Sequence, residues 1–130
     1  MQYEKISDVL TAVIHFTNQH AININVYIFT VSELRDYSDK QSTYWSKFET
    51  LACTYCFFSN KRNKLIYIGM SKGNSGSRIY HWLFDENKIK NKIQKEDTIL
   101  LISFPEQNYM SPALESYLIN KFNPEFNIKK

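Results

Sequence analysis

Leu51-Ala52-Cys53-Thr54-Tyr55-Cys56-Phe57-Phe58-Ser59-Asn60-Lys61-Arg62-Asn63-Lys64-Leu65-Ile66-Tyr67-Ile68-Gly69-Met70 is the stretch that decides the fold. It is two apolar, aromatic runs around a polar segment. Each run has the length and composition of a strand. Ser59 to Lys64 reads as a turn, longer than the tight two-residue type. The stretch therefore predicts a β-hairpin over residues 51–70.

Downstream, Lys72-Gly73-Asn74-Ser75-Gly76-Ser77 is a loop that holds two of the chain's three glycines. Arg78 to Phe84 begins a helix, and the charged residues 87–96 are its tail or a loop. Thr98 to Phe104 is an apolar strand. Ser111-Pro112 then predicts a helix start, with Ser111 as N-cap and Pro112 at the first position. Leu114, Leu118 and Ile119 supply the core face of that helix, and Pro124 ends it. Upstream, Ile6, Val9, Leu10, Val13, Ile14 and Phe16 recur at helical spacing over residues 3–19. Ile22 to Thr30 reads as a strand. Residues 32–50 read as one helix, or two broken near Ser38-Asp39.

The order over residues 51–127 is strand, strand, helix, strand, helix. That implies an α+β fold, a small mixed or antiparallel three-stranded sheet flanked by helices. Residues 1–50 read as an N-terminal extension (helix, strand, helix) packed on a core of residues 51–130.

A chain of 130 residues with 43% apolar and 15% aromatic content is enough for one domain with a real core. Its net charge of +3 admits a polyanionic partner without demanding one. The apolar runs fall short of the roughly 18 residues that span a bilayer. Met1-Gln2-Tyr3-Glu4-Lys5 lacks the basic-then-apolar order of a signal peptide. A cytoplasmic protein with no membrane partner is expected. The two cysteines, Cys53 and Cys56, have no second ligand pair for zinc. On a strand they would point to opposite faces, so buried, inert thiols are expected.

Hydrolysing a phosphodiester needs a group that activates water and groups that neutralise charge at the phosphate and the leaving oxygen. A carboxylate-held divalent cation serves the last two needs. An arginine fork suits a phosphate oxygen, and a tyrosine or histidine transfers a proton. A tyrosine, an arginine, a histidine, a glutamate and an asparagine follow one another along the chain as Tyr67, Arg78, His81, Glu115 and Asn127. Each has a plainer role when taken singly. Tyr67 reads as a half-buried strand aromatic, Arg78 as a solvated side chain and His81 as a helix residue. Glu115 suits the helix dipole, and Asn127 a turn.

In their order and spacing these residues resemble the GIY-YIG nuclease family. Tyr67-Ile68-Gly69 matches its second tripeptide. Cys53-Thr54-Tyr55 is similar to its first, with Tyr55 twelve residues before Tyr67. Arg78 follows Tyr67 by eleven residues, and His81 comes three later on the same expected helix. Ala113-Leu114-Glu115-Ser116-Tyr117-Leu118-Ile119 and Pro124-Glu125-Phe126-Asn127 match the family's later glutamate and asparagine motifs. Three departures stand: Cys53 replaces the first glycine, the tyrosine spacing is slightly long, and His81 comes one position early.

The resemblance implies a divalent-metal-dependent DNA endonuclease. Glu115 would be the sole protein ligand of a magnesium or manganese ion. Tyr67 or Tyr55 would be the general base or would orient water. Arg78 would bind the scissile phosphate, His81 would assist proton transfer or hold a tyrosine, and Asn127 would brace the site. Gly69 would let the backbone pass close to it.

Further DNA contacts are expected from Lys61, Arg62, Lys64, Lys72 and Arg78, then Lys88, Lys90, Lys92 and Lys95. Residues 1–50 contain no zinc finger or clear helix-turn-helix, and read as a scaffold or homodimer element. The alternatives are a catalytically weak or inactive nucleic-acid-binding module and a protein-interaction domain that keep the same fold.

Overall fold

The computed structural model of the protein describes residues 6–33, 52–71 and 94–127. Its elements are α1 (Ile6–His20), β1 (Asn25–Thr30), β2 (Ala52–Ser59), β3 (Lys64–Ser71), β4 (Thr98–Phe104) and α2 (Met110–Phe122). Most of the expected helix over 32–50, the glycine loop and the Arg78–Phe84 helix lie outside the described residues. No described helix is long and apolar enough to cross a membrane.

The fold is α+β, as expected, but the sheet has four strands rather than three. Their order is β1-β4-β2-β3, and every pairing is antiparallel. The fourth strand is β1, from the N-terminal segment, which pairs with β4 from Asn25↔Ser103 to Thr30↔Thr98. A strand's periodicity shows that it exists but not which strand it joins. That is why β1 could not be placed from the sequence.

Alternation sorts the side chains onto two faces. On one face Ala52, Cys56, Phe58, Leu65, Ile68, Leu100, Ile102 and Phe104 form a single core with α1 and α2. The helix α1 contributes Val9, Ala12, Val13 and Phe16, and α2 contributes Leu114 and Leu118. Full burial of each Val, Leu, Ile or Phe side chain contributes about 1.5–3 kcal/mol. The Phe16 and Tyr117 rings, 5.1 Å apart, join the two helices. On the opposite face, Cys53, Tyr55, Phe57, Ile99 and Leu101 are equally buried. Central strands buried on both faces explain why the sequences of β2 and β4 read as continuous apolar runs.

Two details of α2 differ from expectation. The helix begins at Met110, with Tyr109 as N-cap and no side-chain cap bond. Ser111 is therefore not the N-cap, and Pro112 is the third helical residue. The turn before it explains this: Met110 N–H donates to Gln107 O at 2.9 Å and Ser111 N–H to Asn108 O at 3.3 Å, starting the helix early. Pro112 still falls in the first turn, where a missing N–H is harmless. At the other end Asn123 adopts a left-handed conformation (φ 48°), and its N–H closes on Ile119 O at 2.7 Å. The helix thus ends at Phe122, two residues before Pro124.

The end of the sheet nearest the hairpin turn is organised by Asp97, which is fully buried. Its carboxylate accepts Asn60 N–H at 2.9 Å and Gln94 N–H at 2.7 Å. Its backbone oxygen accepts Val31 N–H at 2.9 Å. One side chain thus joins the β2–β3 turn to the approach to β4, and its backbone adds the end of β1. Replacing Asp97 by alanine removes the acceptor of two backbone donors. The expected loss is about 1.5–3 kcal/mol of unfolding free energy, read from urea denaturation; an unchanged midpoint would contradict this role.

Candidate functional site

Tyr55 lies on β2, opposite Gly69 of β3 and Leu101 of β4. Tyr67 lies on β3, opposite Phe57. The antiparallel register puts both tyrosines and Phe57 on the sheet face away from α1 and α2. The Tyr55 and Tyr67 ring centroids are 6.4 Å apart and tilted by 39°. Phe57 closes the group at 5.6 Å from Tyr55 and 5.9 Å from Tyr67. Tyr55 and Phe57 are fully buried, whereas Tyr67 is half-buried and is the more accessible of the two hydroxyl-bearing rings. Phe57 is not among the residues singled out from the sequence. The parity of residues 53, 55 and 57 on one strand is the signal that places it there.

The Tyr55 ring extends across the neighbouring strand at Gly69. A β-carbon added to Gly69 would stand 2.5 Å from Tyr55 Cε1 and 2.7 Å from its hydroxyl oxygen. Contacts that short do not occur between real side chains. The glycine is therefore needed for space, because the ring occupies the position of its missing side chain and carries the Tyr55 hydroxyl across β3.

Asn127 works through the outer edge of that strand. Its Oδ1 accepts Ile68 N–H at 2.7 Å, and its Nδ2 donates to Ile68 O at 2.7 Å. The side-chain amide thus pairs with one residue of β3 as a neighbouring strand would. Phe126 N–H adds a bond to Ile66 O at 2.9 Å. Ile66 is the extra residue of the bulge where the register shifts between Phe57 and Phe58. Tyr67 sits between these two clamped residues.

Glu115 is half-buried in the second turn of α2. The helix packs against β3 and β2. Its first turn is anchored by Ser111, whose Oγ donates to Ser71 O at 3.2 Å, and by Thr54 Oγ1, which donates to Ser111 O at 3.0 Å. The helix starts at the Ser71 end of β3 and the segment after it passes Ile66, so α2 runs antiparallel to β3. Four helical residues advance about 6 Å, or about two residues of strand. Glu115 therefore comes roughly level with Gly69 along the strand, on a helix that packs on the sheet face opposite the tyrosine rings.

Arg78, His81 and Lys72 lie outside the described residues, so the structure gives no position for them. Of the basic turn, Lys61 is exposed. Arg62 is ion-paired with Glu125, and Lys64 Nζ lies 3.9 Å from the same carboxylate. These two cations tie the hairpin turn to the segment that carries Asn127. Cys53 and Cys56 are buried thiols. Burial pushes the Cys56 thiol far up from its ordinary value, which suits an inert core group.

Among the described residues, no group of three or more His, Cys, Asp or Glu could hold a metal ion. A lone carboxylate such as that of Glu115 suits a hard, hydrated cation that keeps several waters, and not zinc, which takes three or four protein ligands.

The family model of the GIY-YIG catalytic domain matches residues 51–129. No curated protein and no solved structure gives a significant match.

Gly69→Ala is expected to destabilise the protein by about 1–3 kcal/mol, because the Tyr55 ring must move. Combining it with Tyr55→Ala should cost less than the sum of the single changes, because the ring is then gone. Additive effects in denaturant unfolding would sink the close-packing account. Asn127→Ala is expected to speed amide exchange at Ile68 with smaller changes on the central strand β4, and equal protection in both proteins would count against the clamp.

Proposed function

The chain belongs to the GIY-YIG catalytic domain family and so carries a nuclease-type domain; from that premise we propose that it is a divalent-metal-dependent endonuclease that hydrolyses phosphodiester bonds in DNA. The observation that carries the reading is the packing of Tyr55 against Tyr67 across Gly69. It brings the tyrosines of the two family tripeptides into one group. The clamp of Asn127 on Ile68, next to Tyr67, supports it.

The roles follow from the side-chain chemistry. Glu115 would hold a magnesium or manganese ion, which would supply charge neutralisation at the phosphate and at the leaving oxygen. Tyr67, the more accessible ring, or Tyr55 orients the attacking water or takes its proton. Arg78 sets its planar fork on a non-bridging oxygen of the scissile phosphate. His81 assists in moving the proton. The water oxygen forms a bond to phosphorus as the bond to the leaving oxygen breaks. The leaving oxygen takes up a proton, so one strand end becomes a phosphomonoester and the other a hydroxyl. Asn127 touches no reacting atom in this scheme. Both polar atoms of its amide are used on Ile68, and it holds Tyr67 in place through β3. Lys61 and Lys72 extend the phosphate contacts, while Arg62 and Lys64 contribute from their place beside Glu125.

Wild-type protein is expected to nick or linearise plasmid DNA with magnesium or manganese, and to lose that activity with a chelator. Glu115→Ala and Arg78→Ala should each lower the rate by about 10²-fold or more, with unchanged circular dichroism. No metal-dependent cleavage by wild-type protein of any DNA or RNA tried would overturn the proposal. A salt-dependent gel shift without cleavage would then point to a nucleic-acid-binding module on the same fold.

A further inference from the structure

A sheet ends in strands whose outward backbone groups need a partner or a cover. This sheet treats its two edges differently. Asn127 and Phe126 cover the β3 edge at Ile68 and Ile66. The β1 edge has no such cover among the described residues. Asn25, Tyr27 and Phe29 stand opposite Ser103, Leu101 and Ile99, and Val31 N–H bonds Asp97 O at 2.9 Å in the same register. Odd-numbered residues thus direct their backbone groups toward β4. Val26, Ile28 and Thr30 direct theirs outward. The N–H of Thr30 is taken by Glu33 Oε1 at 2.8 Å. Val26 and Ile28 remain, with side chains 42% and 52% exposed. The strand carries no Lys, Arg, Asp, Glu or Pro and no bulge, which are the features that usually keep an edge from pairing.

We propose that β1 is a homodimerisation strand, which pairs antiparallel with β1 of a second copy of this chain about a twofold axis at Tyr27. The two outward-facing residues flank Tyr27 symmetrically. In that register Val26 exchanges both backbone bonds with the partner's Ile28, and Ile28 does so with the partner's Val26. The four hydrogen bonds form a closed set, and Glu33 at Thr30 ends the pairing on each side. The side chains agree with this register. An exposed valine meets an exposed isoleucine twice, and no charge opposes a like charge. A second copy brings the same two exposed apolar residues to the pairing, so that the contact closes on itself. The contact is short beside the 1,200–2,000 Å² buried at a standard interface, so the dimer is concentration-dependent. The proposal does not depend on the nuclease reading, and its test does not measure cleavage.

Sedimentation equilibrium over rising protein concentration is expected to show wild-type protein passing from monomer to dimer. Ile28→Lys, at an exposed position, should stay monomeric at tenfold higher concentration with an unchanged thermal midpoint. Tyr27→Cys should form a disulfide-linked dimer on mild oxidation. Residue 27 meets its own copy in a non-hydrogen-bonded pair, with Cα atoms about 4.5 Å apart. Asn25→Cys should not, because the partner's Phe29 stands opposite it. Cys53 and Cys56 are buried and do not compete. Wild-type protein that is monomeric throughout would overturn the proposal. A dimer unaffected by Ile28→Lys, or equal crosslinking through residues 25 and 27, would also overturn it.

Discussion

The ring of Tyr55 occupies the space where a β-carbon of Gly69 would stand, and the arrangement of β2 against β3 depends on it. In an antiparallel pair, a one-residue slip sends every side chain to the other face. Here a slip would set Tyr55 beside Ile68 or Met70, neither of which leaves room for a ring across the strand. The same slip would turn Cys56 and Phe58 away from the helices. The glycine thus ties two requirements together. It makes space for a large aromatic on one face, and it fixes the register that builds the core on the other. The proximity of Tyr55 and Tyr67 follows from that register and needs no further contact to explain it.

A register fixed by one close approach still leaves β3 as an edge strand with unpaired backbone. The chain closes that edge with polar groups from its own C-terminal segment. Pro124 is buried, Phe126 gives its N–H to Ile66, and Asn127 pairs with both backbone groups of Ile68. Glu125 adds Arg62 and Lys64 at the hairpin turn. These exposed ion pairs are weak contributors singly, so the clamp rests mainly on the amide. At the other end of β3, Ser111 bonds Ser71 and sets the start of α2, and so the height of Glu115. The same strand thus locates Tyr67, Asn127 and Glu115, which lie far apart in sequence.

The hairpin, the last strand and both described helices were legible because each has a clear period and clear stop signals. The candidate site was read as an order of residue types that resembles a family: of its residues the structure places Tyr55 and Tyr67 side by side and Asn127 on the β3 edge, with Glu115 on α2. Three things were not legible. β1 carries the alternation of a strand, but pairing is a long-range choice that its own residues do not encode. Ser111 has the residue type of an N-cap, but a turn at Gln107 to Tyr109 started the helix earlier and freed its hydroxyl for Ser71. Asn127 looked like a turn residue or a site residue, yet its amide serves as a one-residue strand. That use depends on the distant edge it meets.

The departure at Cys53 can be weighed against the same constraint. Where the family has its first glycine, this chain has a thiol, and a larger side chain there could have pushed β2 away from its neighbours. Cys53 stands opposite Ser71 on β3 and Ser103 on β4, two small residues. All three are buried, and both ladders run through this position without a bulge. The volume added at residue 53 is thus matched by small partners on both sides. Tyr55, two residues on, keeps Gly69 opposite it. The glycine that the tyrosine needs is the one on β3, and it is present, so the lost glycine on β2 leaves the aromatic group as the register sets it.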